Sequence, residues 1–263
     1  RKLTVIFLLG LGLLILGAGI WFLAMGEIIS SKQSASLEKI VLEDLPPIED
    51  IKPPAKKVLA TDYHVFQTFN NCAPAALSMA LSYYGINVSQ EKLAEELRPH
   101  NNLKGDNDDK STPPDELGAK AAEYGLTPYY RANGTIETIQ KLIALDVPIV
   151  VRTLLHADED FAHYRVVKGY DTLTREIIQD DSYENKNLRF SYEKLMQIWQ
   201  PFNYAYLVLV PKDKIAAVER VLGEEKDAKQ SWRNAVDTAN KELAKNPSDL
   251  EAQFNKSVAY YYL

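Results

Sequence analysis

From Leu3 to Met25 the chain carries no charge and a single hydroxyl, Thr4. At about 1.5 Å of rise per residue such a run makes a helix of roughly 35 Å, long enough to cross a bilayer core with some tilt. A cleaved signal peptide would have a shorter apolar stretch, and Trp21 and Phe22 suit a membrane interface. The expectation for residues 1–25 is an uncleaved single-pass transmembrane anchor that meets membrane lipid through residues 3–25. Gly10 with Gly17, and Gly12 with Gly19, repeat seven apart. They form two flat stripes where a partner transmembrane helix could approach. Arg1 and Lys2 precede the run and Glu27 follows it, which favours a cytoplasmic N-terminus and an extracytoplasmic C-terminal domain, in a prokaryotic cell membrane.

The rest of the chain is acidic. Residues 26–263 hold 28 basic and 36 acidic side chains, a net charge of -8, and that balance argues against a nucleic-acid partner. One cysteine excludes both a disulfide framework and a thiolate-clustered metal site, and no cofactor motif is found.

Residues 26–57, with Pro46-Pro47 and Pro53-Pro54 among charges, read as an extended linker. Residues 58–211 read as one compact α+β domain of ordinary size. Its helices are expected at 71–84, 89–97, 114–124, 136–145 and 192–199, and its strands at 127–131, 148–154, 163–170, 176–179 and 204–210. Helices come first and an antiparallel sheet follows. Residues 212–263 turn helical and charged, with segments at 214–222, 227–245 and 250–263. Phe254 and Tyr261, seven apart around small Ser257 and Val258, resemble the first helix of a tetratricopeptide repeat, and 227–245 the second helix of a preceding one. An incomplete repeat of this kind would recruit a protein partner, and a plain helical hairpin packed on the domain is the simpler reading. Tyr260, Tyr261 and Tyr262 read as a packing face.

Cys72 falls in the first turn of the 71–84 helix, where unsatisfied backbone N–H groups and the macrodipole favour thiolate over thiol. Gln67, five residues upstream on an extended stretch, could aim its amide at the same space as the Cys72 N–H, which would make an oxyanion hole. Thiolate chemistry also needs a base. Of His64, His100, His156 and His163, the last begins the strongest strand signal in the chain. A hairpin turn centred near Leu173 places residue 182 opposite His163, so Asp180 and Asp181 are both diagonal neighbours able to orient the ring. Strand parity leaves the choice between these two acids open.

The run Gln67-Thr-Phe-Asn-Asn-Cys72-Ala-Pro-Ala-Ala-Leu, followed by His163-Tyr-Arg-Val-Val-Lys-Gly169-Tyr-Asp and then Asp180-Asp181-Ser, resembles the papain-like cysteine peptidases of family 39, the bacteriocin-processing type. The resemblance covers about residues 58–211 and implies a papain-like fold acting on a peptide or protein substrate. Carried over by position, it implies Gln67 as oxyanion donor, Cys72 as nucleophile, His163 as general base and acid, and Asp181 as orienting acid. The family usually has Gly after the nucleophile, where this chain has Ala73, a change that narrows substrate approach. The best-known members are fused to an export transporter and cleave after a double glycine. This chain is more similar to stand-alone members, some of which carry helical repeats.

Two signals read as ordinary loops. His156, Asp158, Asp160 and His163 fit no tetrahedral metal template, and Asp106 to Asp109 lack the glycine and terminal Glu of a calcium loop. Two functions remain in view: a membrane-anchored peptidase, and a non-catalytic subunit of a larger membrane complex that keeps the peptidase fold.

Overall fold

The computed structural model describes residues 52–100 and 112–263. The anchor expected over 1–25, most of the linker and the acidic loop at 106–109 lie outside the described residues. Among the described residues no helix is long and apolar enough to cross a membrane.

The centre of the fold is a seven-stranded antiparallel sheet. Its strands are β1 (Lys56–Val58), β2 (Thr127–Arg131), β3 (Ile149–Leu154), β4 (Ala162–Asp171), β5 (Glu176–Asp181), β6 (Leu188–Ser191) and β7 (Tyr206–Val210), in the order β2-β7-β3-β4-β5-β6, with β1 also on β4. β3 and β1 share one edge of β4, end to end, and β5 takes the other. Lys56 and Lys57, expected in the linker, therefore belong to the sheet. The register explains the position: next to Val58, a Cβ on Gly169 would stand 2.8 Å from the Lys57 carbonyl oxygen, so only glycine lets β1 come this close.

Helices cover both faces. On one lie α1 (Cys72–Ser82), α2 (Gln90–Leu97) and α3 (Pro114–Ala122). There Leu77, Leu81, Leu93 and Leu117 pack with Val150, Val166 and Leu207. On the other lie α4 (Ile136–Ala144), α5 (Tyr192–Trp199) and α6 (Ile215–Leu222), where Ile139, Leu142, Trp199 and Val218 meet Ile149, Val151 and Val208. Alternation along β3 and β7 thus feeds two cores from one sheet. β4 departs from strict alternation at a bulge between Val167 and Gly169. Val167 and Tyr170, three residues apart, consequently enter the same core.

Local signals set the helix starts. The hydroxyls of Ser89, Thr135 and Ser191 accept the backbone N–H groups of Lys92, Thr138 and Lys194, the cap geometry that satisfies otherwise unpaired donors. Gly85, at φ +72, ends α1 without strain.

The C-terminal helices α7 (Ala228–Lys245) and α8 (Leu250–Tyr261) pack on the domain. Trp232, Ala235 and Ala259 cluster with Ala132 and Ala205, and the Tyr262 ring stacks on Trp232 at 4.2 Å. Buried Asn255 accepts the Asn203 N–H and donates to the Gln200 carbonyl. The expected Tyr260–Tyr262 face is divided: Tyr262 packs, whereas Tyr260 and Tyr261 are exposed. Phe254, which forms the repeat-like spacing with Tyr261, is also exposed, and Ala252, Asn255 and Ala259 form the buried side of α8.

Candidate active site

Cys72 opens α1 and is buried, with 7% of the residue's area exposed. The loop before it is held from two sides. Gln90 accepts the Thr68 N–H and donates to the Phe66 carbonyl, while buried Arg98 donates to the Phe69 carbonyl and to Asn71 Oδ1. Asn71 in turn donates to Thr68 Oγ1 at 2.6 Å. These bonds fix the helix start, where the first N–H groups have no intrahelical acceptor.

His163 is the second residue of β4 and is 1% exposed. Its Nε2 lies 2.9 Å from Asp181 Oδ1, and Cys72 is near enough to act on the ring electrostatically. With Nε2 engaged by the carboxylate, Nδ1 is the nitrogen left to meet the sulfur. Burial pulls the imidazole toward the neutral form, but the Asp181 hydrogen bond and the nearby Cys72 and Asp181 outweigh it and raise its pKa above 6.5.

Asp181 is the more heavily bonded acid. Its Oδ1 also accepts the Tyr183 and Glu184 N–H groups at 2.7 and 3.0 Å, and its Oδ2 stands 2.7 Å from Arg165 Nε. Burial would raise its pKa, yet the His163 hydrogen bond, the charges of His163 and Arg165 and the Glu184 N–H bring it down to about 2. It is held as a carboxylate.

The hairpin decides between the two acids. Arg165 pairs with Asp181 and Val166 with Asp180, one residue off the expected register: next to the turn, where Asp171 pairs with Glu176, the offset is two, and the bulge in β4 takes one back. Directly paired residues share a face, so Asp181 lies beside Arg165 and diagonal to His163. Asp180 points the other way, where its carboxylate meets Lys168 Nζ at 2.6 Å, the Tyr83 hydroxyl at 3.1 Å and the Asn187 N–H at 3.0 Å.

Gln67 joins the same cluster. It is paired to the residue after Asp181: its backbone N–H donates to the Ser182 carbonyl at 2.8 Å, and its Oε1 accepts the Ser182 hydroxyl at 2.9 Å. With the amide oxygen taken, its NH2 end has no partner among the described residues. His64 Nε2 donates to the Asp181 carbonyl at 2.9 Å, so the extended stretch before the helix is tied twice to the end of β5. Sequence reasoning passed over Arg165, Ser182 and His64. Arg165 was within reach, since it lies two residues from His163 on the same strand face; the other two depend on a long-range meeting that no local pattern encodes.

Of the four expected residues, His163 and Asp181 are hydrogen-bonded, Cys72 acts on the same imidazole from a helix start, and Gln67 is bonded to Ser182, the residue after Asp181. Residues 50–207 match the Peptidase_C39 like family, more than half of the chain. The chain belongs to this family. The C39-like domain shares its fold with a crystal structure of a C39-like peptidase from Bacillus anthracis, 20% identical, covering 60% of this chain and 98% of that one with a TM-score of 0.50. Weaker likenesses are found to the peptidase domain of Streptococcus ComA, a bifunctional ABC transporter, with 22% identity, 56% and 97% coverage and a TM-score of 0.43. Xylellain, a cysteine protease from Xylella fastidiosa, follows with 16%, 64% and 90%, and 0.40. No curated protein matches the chain.

His156 serves a separate purpose, bonding Glu159 through Nδ1 and Glu184 through Nε2 at 3.0 and 2.8 Å. Among the described residues no group of three His, Cys, Asp or Glu side chains could hold a metal ion.

Proposed function

We propose that this C39-like protein is a membrane-anchored cysteine peptidase in which Cys72, His163, Asp181 and Gln67 carry the reaction. The observation that supports it most is the buried His163 imidazole, hydrogen-bonded to the Asp181 carboxylate and raised in proton affinity by Asp181 and Cys72 together. In this reading His163 takes the thiol proton and the sulfur attacks the carbonyl carbon of a peptide bond. The carbonyl electron pair moves to oxygen, where the Gln67 NH2 and the Cys72 N–H receive it. As the pair returns, the C–N bond breaks and His163 gives its proton to the departing amine. Water then attacks the thioester with His163 again as base, releasing the acid and restoring the thiol. Asp181 holds the ring in one orientation and stabilises the imidazolium.

Residues 3–25 hold the domain at a membrane, with the catalytic face on the extracytoplasmic side. The helices α7 and α8 continue in a tetratricopeptide-like manner and recruit a protein partner. Incubation of the wild type and a Cys72→Ala variant with a fluorescence-quenched peptide library tests the enzymatic reading: cleavage by the wild type alone is expected. Absence of cleavage, with recovery only in a large assembly after mild detergent extraction, would favour a non-catalytic subunit instead.

A further inference from the structure

The ends of β3 and β4 do not stop at bare solvent. Leu154 and Ala162, paired across the two strands, line a groove of about 410 Å³ whose opposite wall is Phe202 together with Leu250 and Phe254 of α8. Leu250 and Phe254 are 75% and 62% exposed, a large apolar surface for a helix otherwise held against the domain. Two acids, Asp160 and Glu251, complete the lining, and no basic side chain does. Neither acid has an ion pair among the described residues, so the lining itself presents negative charge around an apolar centre, with the Arg152 guanidinium over the Phe202 ring.

The groove lies against the start of β4, the strand that carries the candidate catalytic base. Ala162 immediately precedes His163. Tyr164, on the same strand face as Ala162, packs in one cluster with Cys72. The Arg152 guanidinium lies over both the Tyr164 ring, at 5.8 Å, and the Phe202 ring, at 5.2 Å. Arg152 thus links the cluster that holds Cys72 to the groove wall.

We propose that the groove between the C39-like domain and α8 is a substrate subsite for a large apolar side chain flanked by Lys or Arg. The inference rests on the hydrolase reading above and adds to it a substrate class and a role for the C-terminal helices. The apolar walls exclude water around one aliphatic or aromatic side chain, which supplies affinity. The two carboxylates select its neighbours by charge. Because α8 contributes three of the eight lining residues, the peptidase domain without its tail lacks one wall of the site.

Three fluorescein-labelled decapeptides test this on the full chain carrying Cys72→Ala: one with Lys-Leu-Lys at its centre, one with Glu-Leu-Glu and one with Lys-Ser-Lys. By fluorescence anisotropy at low salt, the first should bind at least about tenfold tighter than either other. Adding Asp160→Lys and Glu251→Lys should reverse the order of the two leucine peptides, and adding Phe254→Ser should erase the margin of leucine over serine. Equal binding of all three peptides, or an unchanged order in the variants, would overturn the proposal. The same peptides given to the wild type separate the two claims. Binding in the expected order with no cleavage would sink the hydrolase reading and leave the groove standing. Cleavage without any binding order would sink the groove alone.

Discussion

Nε2 of His163 stands 2.9 Å from Oδ1 of Asp181, and both side chains are all but closed to solvent. The partner on the far side of that carboxylate is another cation, Arg165, at 2.7 Å from Oδ2. Asp181 therefore does two things: it aims the imidazole and it neutralises a buried guanidinium. Asp181→Ala should cost about 3–5 kcal/mol of stability, because it leaves Arg165 buried without its counter-charge. Asp181→Asn, which keeps the shape, should cost less while still slowing reaction at Cys72. Urea denaturation read alongside thiol alkylation separates the two effects, and an Asp181→Ala variant as stable as wild type would contradict the pairing.

The pH dependence of stability follows from the direction of each shift. Asp181 ionises more readily folded than unfolded, so its contribution is present above its unfolded pKa of 3.8 and is lost as pH falls through about 2. The amount is on the order of 2 kcal/mol. His163 is shifted upward, so its contribution is complete below 6.5 and is lost as pH rises through the raised folded value. The stability gap between wild type and His163→Gln should accordingly narrow above pH 6.5. A gap that widens with pH would mean the ring is held neutral.

Gln67 offers a test of the oxyanion role that avoids the nucleophile. Loss of one such donor costs about 10²–10³ in the rate of acyl transfer. Alkylation by iodoacetamide passes through no oxyanion. Gln67→Ala should therefore lower peptide cleavage on that scale and leave the alkylation rate of Cys72 within a factor of about two, since only one of the two reactions needs the donor. Equal losses in both assays would show Gln67 acting on the helix start, through its bonds to Ser182, and not on the reacting carbonyl.

The bulge in β4 sets the register of the site, and Gly169 beside it admits β1. In Gly169→Ala the new Cβ would meet the Lys57 oxygen at 2.8 Å and Val58 Cα at 3.0 Å, both backbone atoms. Backbone cannot swing away as a long side chain can, so about 1–3 kcal/mol of destabilisation is expected. Hydrogen exchange should show the loss concentrated at residues 55–59. An alanine variant with unchanged exchange there would contradict the close approach.

Much of this arrangement was legible before any coordinates. The helix at Cys72 follows from Ala73, Ala76, Leu77, Ala80 and Leu81 on one side, with Gly85 as its stop, and the hairpin from β-branched runs separated by a turn. Those two elements bring Cys72, His163 and the Asp180-Asp181 pair into question together. What sequence could not settle was which acid faces the ring. A turn-centred count fixes neither the turn nor the bulge: pairs beside the turn lie two residues from the expected register, the extra residue at Lys168 takes one back, and the remaining shift of one exchanges the two faces of a strand. β1 and β6 were missed for another reason. Each is three or four residues long, too short for alternation to register, and β1 forms only because Gly169 leaves it room. On α8 the seven-residue spacing of Phe254 and Tyr261 lies on the exposed side, and small residues, Ala252 and Ala259, take the buried one.

The account stands on activation of Cys72 by His163. The direct measurement is the rate of iodoacetamide alkylation at Cys72 at pH 6, followed by intact-mass spectrometry in wild type and in His163→Ala. A thiol without a base reacts slowly at that pH, so the wild type should label at least about tenfold faster than the variant. Equal rates in the two proteins would contradict the account.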